Sequence, residues 1–215
     1  MIETGLKDVL PEIYRLENIV ERNDWHNDTP YQQSLRLSHW IEKLPTTLGA
    51  PFDGYQDHVH TLLTSYLEQP NGSYSLQSLL SFAALIHDIG KEDTFARQPD
   101  GTTRCSGHEA VGARMAPAIC ARFDFTTAEI DFITNLVAYH GEPYALFKRV
   151  CELEPEERAA ALAQFEAQHD RYLRPLLLLA YGDMITSHLQ SINPAKFAAV
   201  SAFYREWLHR VFENG

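Results

Sequence analysis

The run Ser81-Phe-Ala-Ala-Leu-Ile-His-Asp-Ile-Gly-Lys91 constrains this chain more than any other segment. Apolar or small residues from Phe82 to Ile86 lead directly into an imidazole and a carboxylate. An ionised carboxylate buried beside such a run is costly unless it is paired or bound to a metal. Adjacent His and Asp offer a neutral nitrogen ligand and an anionic oxygen ligand. Gly90 suits a helix stop, because glycine is the preferred residue just past a helix end. The segment therefore reads as the end of a buried helix from about Leu76 to Ile89. His87 and Asp88 would reach a cleft from its last turn, and Lys91 would meet an anion beside a metal.

Helical signals dominate the rest of the chain. Leu35, Leu37, Trp40, Ile41 and Leu44 recur at helical spacing, as do Leu62, Leu63, Tyr66 and Leu67. Gln69-Pro-Asn-Gly-Ser73 reads as a loop. Pro99-Asp-Gly101 marks a turn inside an extended loop or short hairpin between Asp93 and Ser106. Ser106 with Glu109, and Thr126 with Glu129, have capping-box spacing, so helices should begin beside them. Gly141 should end the second of these, just after His140. A polar helix is expected from about Pro155 to Gln168. A buried one should contain Leu176 to Ala180, and a last one should open at Asn193-Pro194. The fold class is all-α: a helical bundle with at most a short β-hairpin near residues 95–105. Residues 1–215 read as one domain, with a core from about 31 to 190 and a C-terminal helix over 194–213.

A hydrophobic fraction of 45% with 22% charged residues fits a globular chain rather than a disordered one. The formal net charge of −11 argues against extended nucleic-acid binding. Cys105, Cys120 and Cys151 form no CxxC pair, which suggests reduced thiols. No apolar run approaches the roughly 20 residues that span a bilayer, and Met1 to Asp8 do not resemble a signal peptide. A cytoplasmic location without membrane attachment is expected. The oligomeric state is not legible.

Further candidate ligands fall near helix ends. His108 lies in a first turn, His140 in a last turn, and Asp183 follows Gly182 inside the most apolar helix. Bundles commonly build metal sites from side chains on facing helices. No CxxC thiolate pair stands among these residues, which disfavours a structural zinc site. Blander readings exist for each position. His87 and Asp88 could cap a helix, Asp183 could pair with Arg36 or Arg174, and His140 could be a C-terminal cation. Lys91 could be a solvated charge. His26, His39, His58, His169, His188 and His209 receive no role.

The order of Leu85-Ile-His-Asp-Ile-Gly-Lys91, Asp100-Gly101, Gly107-His-Glu-Ala-Val-Gly112 and Leu136-Val-Ala-Tyr-His140 resembles the HD superfamily of metal-dependent phosphohydrolases. The likeness extends over roughly Tyr31 to Ser187. More narrowly, the segment from Tyr66 to His140 resembles the HD domain attached to some bacterial tRNA nucleotidyltransferases. No Gly-Ser followed by paired aspartates precedes this region, so nucleotide addition is not expected. The resemblance implies an HD-domain bundle with His87, Asp88 and Asp183 on one metal. It implies His108 and His140 on a second, with Asp88 bridging. HD proteins carry a further His on an earlier helix. Tyr31-Gln-Gln-Ser-Leu35 resembles that segment with Gln33 in place of His, while His60-Thr-Leu62 also has the local look. Gln33 or His60 is therefore the additional candidate ligand.

The expected activity is divalent-metal-dependent hydrolysis of a phosphomonoester or phosphodiester, with a small phosphorylated substrate, a nucleotide above other classes. One or two ions are expected, with Mn, Mg, Fe, Ni, Co and Zn not distinguished. Asp88 and Lys91 are the expected catalytic residues. The alternative is a degenerate module that binds a nucleotide or a partner without turnover.

Overall fold

The computed structural model describes residues 7–44 and 56–213, with the side chains of 56–60 outside that description. After helical residues 7–9 come helix α1 (Pro11–Arg15) and a short 3-10 turn (Leu16–Asn18). Leu10, Ile13 and Leu16 are fully buried, so the N-terminal segment belongs to the core. A strap without regular structure then runs to Thr29, whose side chain accepts the Gln32 N–H and caps α2 (Pro30–Lys43). Helix α3 (Gln56–Leu67) leads into a minimal hairpin of β1 (Pro70–Asn71) and β2 (Tyr74–Ser75). Gly72, at φ 90°, makes that turn in the left-handed region. The sequence led us to expect only a loop here.

Ser75 caps α4 (Leu76–Ile86) by accepting the Ser78 N–H. Leu76, Leu79, Leu80, Ala83, Ala84 and Ile86 are buried on more than one face, so α4 is central. Each such leucine contributes about 2 kcal/mol by leaving water. The helix stops short of the expected Ile89. His87 is its C-cap, and residues 87–90 form a turn. That turn is closed by Ile89 N–H to Ile86 O (3.2 Å) and Lys91 N–H to Asp88 O (2.9 Å). Gly90 has φ −77°, so it is not a left-handed cap. A Cβ there would lie 2.2 Å from the His108 carbonyl oxygen and 2.6 Å from Gly112 N. Glycine is required because the next long helix rests directly on the turn.

Helix α5 (Lys91–Thr94) and the hairpin β3 (Phe95–Arg97) and β4 (Thr103–Cys105) follow. The strands pair antiparallel with Phe95 opposite Cys105, matching the expected hairpin. Helix α6 (His108–Cys120) starts at Gly107, whose φ of 78° supplies the bend with no side-chain cap. The Ser106–Glu109 spacing thus makes no capping box. Thr126 and Glu129 do make one, at the start of α7 (Thr127–Tyr139). Helices α8 (Glu142–Val150), α9 (Pro155–His169), α10 (Leu173–Thr186), α11 (Leu189–Ile192) and α12 (Pro194–Glu213) complete the chain, with a 3-10 turn (Asp170–Tyr172) before α10. The all-α bundle holds. Helix α2 packs on α4, α6 on α7, and α10 on α2 and α12. Leu176 to Leu179 of α10 are fully buried. Among the described residues, no helix is long and apolar enough to cross a membrane.

Candidate metal centre

Several helix termini meet at one rim of the bundle. His87 and Asp88 arrive from the end of α4, His108 from the start of α6, and His140 as the C-cap of α7. Ligand atoms of His87, Asp88 and His140 lie within 4.8 Å of one another. Asp183 enters from α10, where Gly182 permits a close approach to α2. A Cβ at Gly182 would sit 2.6 Å from Leu37 Cδ1 and 2.7 Å from the Trp40 ring. One turn before Leu37, Gln33 reaches Asp183 across this contact.

The three imidazoles share one arrangement. His87 Nδ1 lies 2.7 Å from Ala84 O, His108 Nδ1 2.8 Å from Cys105 O, and His140 Nδ1 2.7 Å from Val137 O. A carbonyl oxygen only accepts, so each Nδ1 carries a hydrogen and donates it. Each Nε2 therefore has its lone pair free in the neutral ring. These nitrogens face one carboxylate. Asp88 Oδ2 is 3.2 Å from His87 Nε2, and Oδ1 is 3.2 Å from His108 Nε2 and 3.8 Å from His140 Nε2. The Nε2 atoms of His108 and His140 are 3.1 Å apart. Lone pairs facing one another and a carboxylate at such distances need protons or a cation between them. The donor set of imidazole nitrogen and carboxylate oxygen fits a divalent ion of the transition series.

The electrostatics agree. Burial pushes His87 down, but Asp88 and Asp183 outweigh it and raise its pKa to about 10. Burial pushes Asp88 up, yet His87 and Lys91 hold it well below the usual carboxylate range. Burial, then the charges of His87 and His108, lower His140 to about 3. Without a cation, protons hold the cluster together.

Lys91 is buried between two carboxylates. Its Nζ is 2.8 Å from Glu21 Oε2 and 2.9 Å from Asp88 Oδ2, and these charges raise its pKa against the effect of burial. Asp183 Oδ1 lies 3.7 Å from His87 Nε2 and accepts from Gln33 Nε2 at 2.9 Å. Neither arginine weighed for it is its partner. Arg36 binds Asp28 (2.5 Å), and Arg174 donates to Val211 O. Gln33 is fully buried. Its amide oxygen accepts from Arg36 at 2.8 Å, so the atom able to bind a metal already has a donor. His60 lies on α3, and its side chain is outside the described residues.

A cleft of about 460 Å³ opens onto Asp88, Lys91, His108, His140 and Asp183, a size suited to a small molecule. The strap adds Glu21, Trp25 and His26 to its lining. Sequence reading gave none of these a part, because the strap has no periodicity. Burial, then the Lys91 ammonium, push the His26 pKa down. Cys105 also lines the cleft, but burial pushes its thiol up to about 12, so it stays protonated. All three cysteines are free. Among the other described histidines, His169 binds Glu142 at 2.9 Å and does not line the cleft.

Residues 60–175, more than half of the chain, match the family model described as HD domain. Three curated relatives show the range of similarity. The A-adding tRNA nucleotidyltransferase of Deinococcus radiodurans is 36% identical over 90 residues, 41% of this chain and 19% of that protein. The Multifunctional CCA protein of Legionella pneumophila (strain Lens) is 30% identical over 122 residues, 57% of this chain and 27% of that protein. The Multifunctional CCA protein of Thioalkalivibrio sulfidiphilus is 32% identical over 126 residues, 58% and 28% of the two chains. The matched stretch thus spans between about a fifth and somewhat over a quarter of these relatives.

Proposed function

This chain belongs to the HD domain family, and on that premise we propose that it is a divalent-metal-dependent phosphohydrolase. Its substrate is a small phosphomonoester or phosphodiester, a nucleotide above other classes. The family implies the metal-dependent phosphohydrolase superfamily. The observation that carries the reading is the set of three imidazoles whose Nδ1 hydrogens are committed to backbone carbonyls while every Nε2 turns toward Asp88.

His87, Asp88 and Asp183 would hold one ion, and His108 and His140 a second. Asp88 suits a bridging role because its oxygens face different partners. Oδ1 meets His108 and His140, while Oδ2 meets His87 and Lys91. A bound divalent ion supplies Lewis acidity toward phosphoryl oxygens and lowers the pKa of water. Asp88 orients the reacting groups and stays ionised. Lys91, fixed by Glu21 and Asp88, offsets negative charge at the cleft floor where a phosphate would arrive. Gln33 acts through Asp183, donating to its oxygen and keeping it aimed at His87.

The test is metal analysis of the purified protein, followed by a phosphomonoester and phosphodiester panel with added Mn²⁺, Co²⁺ or Ni²⁺. Turnover that a chelator stops and added metal restores is expected. A second reading, a nucleotide- or partner-binding module without turnover, is favoured by one feature. Gln33 stands beside Asp183 and, with His60, is one of the two candidates for the position where the family resemblance calls for His. A silent panel with intact metal binding selects that reading.

A further inference from the structure

One wall of the cleft has a chemistry that the metal centre does not use. Trp25, on the strap, meets Tyr144, in the first turn of α8, edge to face with ring centroids 4.6 Å apart. Both line the cleft beside Asp88 and Asp183. Lys148, a turn further along α8, places its ammonium 5.0 Å from the Tyr144 ring centre. It lines the cleft and has no carboxylate partner among the described residues.

His26 adds a polar group to this wall. It is only 7% exposed and lines the cleft, yet its Nδ1 has no hydrogen-bond partner among the described residues. Its backbone is fixed. The Asn23 side-chain oxygen accepts the N–H groups of Trp25 (2.8 Å) and His26 (2.9 Å), and the His188 N–H donates to Trp25 O at 2.9 Å. A buried polar atom left unpaired is rare in native proteins and costs about 1–3 kcal/mol. Its ring lines the cleft, while Nδ1 itself lies buried beneath that surface.

We propose that this wall is a nucleoside subsite. A planar base packs against Trp25 and Tyr144 beside the His26 ring, and Lys148 meets negative charge at the mouth. The proposal rests on the phosphohydrolase reading, which puts the phosphate end at the metal centre. Aromatic contact with a base is worth about 1–3 kcal/mol and tolerates different bases. The subsite therefore selects for a nucleoside without strong preference among nucleosides.

The test is calorimetric titration of the full chain with Mn²⁺. The Mn²⁺-loaded protein is then titrated with three probes: a non-hydrolysable adenosine 5′-phosphonate, the matching ribose phosphonate, and inorganic phosphate. The adenosine probe should bind at least about tenfold tighter than the ribose probe. Trp25→Ala should remove about tenfold of its affinity and leave Mn²⁺ and phosphate binding unchanged. Trp25→Phe should retain most of it. Equal affinity for the adenosine and ribose probes overturns the subsite, a comparison that needs only the unaltered protein. Unchanged adenosine-probe affinity in Trp25→Ala overturns it as well. A chain that takes up no Mn²⁺ overturns the metal-centre reading, and the subsite with it.

Discussion

Asp88 and Glu129 are both buried carboxylates, 2% and 0% exposed, and α7 connects their surroundings. Glu129 lies in its first turn and His140 caps its end. Glu129 is answered by neutral donors. Oε1 accepts from the Ser73 and Tyr74 N–H groups (2.6 and 3.1 Å), and Oε2 from the Thr126 N–H (2.6 Å). Asp88 is answered by one ammonium and three imidazole nitrogens whose neutral form offers lone pairs. Nearby, Glu21 and Asp183 add carboxylates while Lys91 stays the one buried ammonium among the described residues. Burial of an acid therefore says little about chemistry by itself. Donors around it complete a structural joint; acceptors around it leave room for a cation.

The sharpest way to break this contrast is to remove each acid in turn. Asp88→Ala should lower Mn²⁺ affinity at least about 100-fold and abolish metal-dependent hydrolysis, with the helical circular-dichroism signal retained. Unaltered metal content would remove Asp88 from the ligand set. Glu129→Ala should leave metal affinity alone. It should cost about 1–3 kcal/mol of unfolding free energy, for the backbone donors left unpaired. That corresponds to roughly 2–4 °C of Tm per kcal/mol in a chain of this size.

Acid should separate the two sites further. Burial raises the Glu129 pKa, but the N–H groups of Thr126, Ser73 and Tyr74 outweigh it and lower it below 4.5. A carboxyl depressed in the folded state stabilises the fold above its unfolded pKa, and that contribution fades as pH falls through the folded value. The stability gap between the native chain and Glu129→Gln should therefore narrow only in acid. Metal affinity should respond in a higher window. Metal and proton compete for His87, whose pKa is about 10 in the metal-free cluster. Affinity should rise with pH, by about tenfold per unit for each proton displaced. A flat profile between pH 6 and 9 would contradict this. The smallest effect belongs to Gln33. Removing its hydrogen bond to Asp183 in Gln33→Ala should weaken Mn²⁺ binding about tenfold. Gln33→His should tighten it, since imidazole is the better ligand. Unchanged affinity in both would place residue 33 outside the metal's influence.

The parts of this molecule that were legible in the sequence are those governed by neighbours along the chain. Periodicity gave the helices, and the Thr126–Glu129 spacing gave a true capping box. The apolar run into His87-Asp88 anticipated a polar pair at the end of a buried helix. The Ser106–Glu109 spacing misled because Gly107 bends the chain into α6 without a side-chain cap. Gly90 was noticed for the wrong reason: what demands glycine is the backbone of α6, lying against it. The partnership of Lys91 with Glu21 was hidden because their contact joins residues 70 positions apart. Trp25 and His26 were passed over for the same reason, since distant hydrogen bonds place the strap.

Those distant hydrogen bonds carry a kinetic consequence. Arg22 N–H donates to Thr103 Oγ1 at 2.8 Å across a separation of 81 residues, and Thr103 N–H returns a bond to Arg22 O at 3.0 Å. Contacts this remote in the chain carry a large loop-closure entropy and tend to form late in folding. The helices that bring His87, His108 and His140 together depend far more on shorter-range packing, so the imidazole cluster should assemble before the strap closes over it. In the native state the order reverses, and the strap should be among the first segments to open. Amide hydrogens of Trp25 and His26 should then exchange faster than those of α4, and the cleft should admit its ligand by loosening one wall while the floor stays folded.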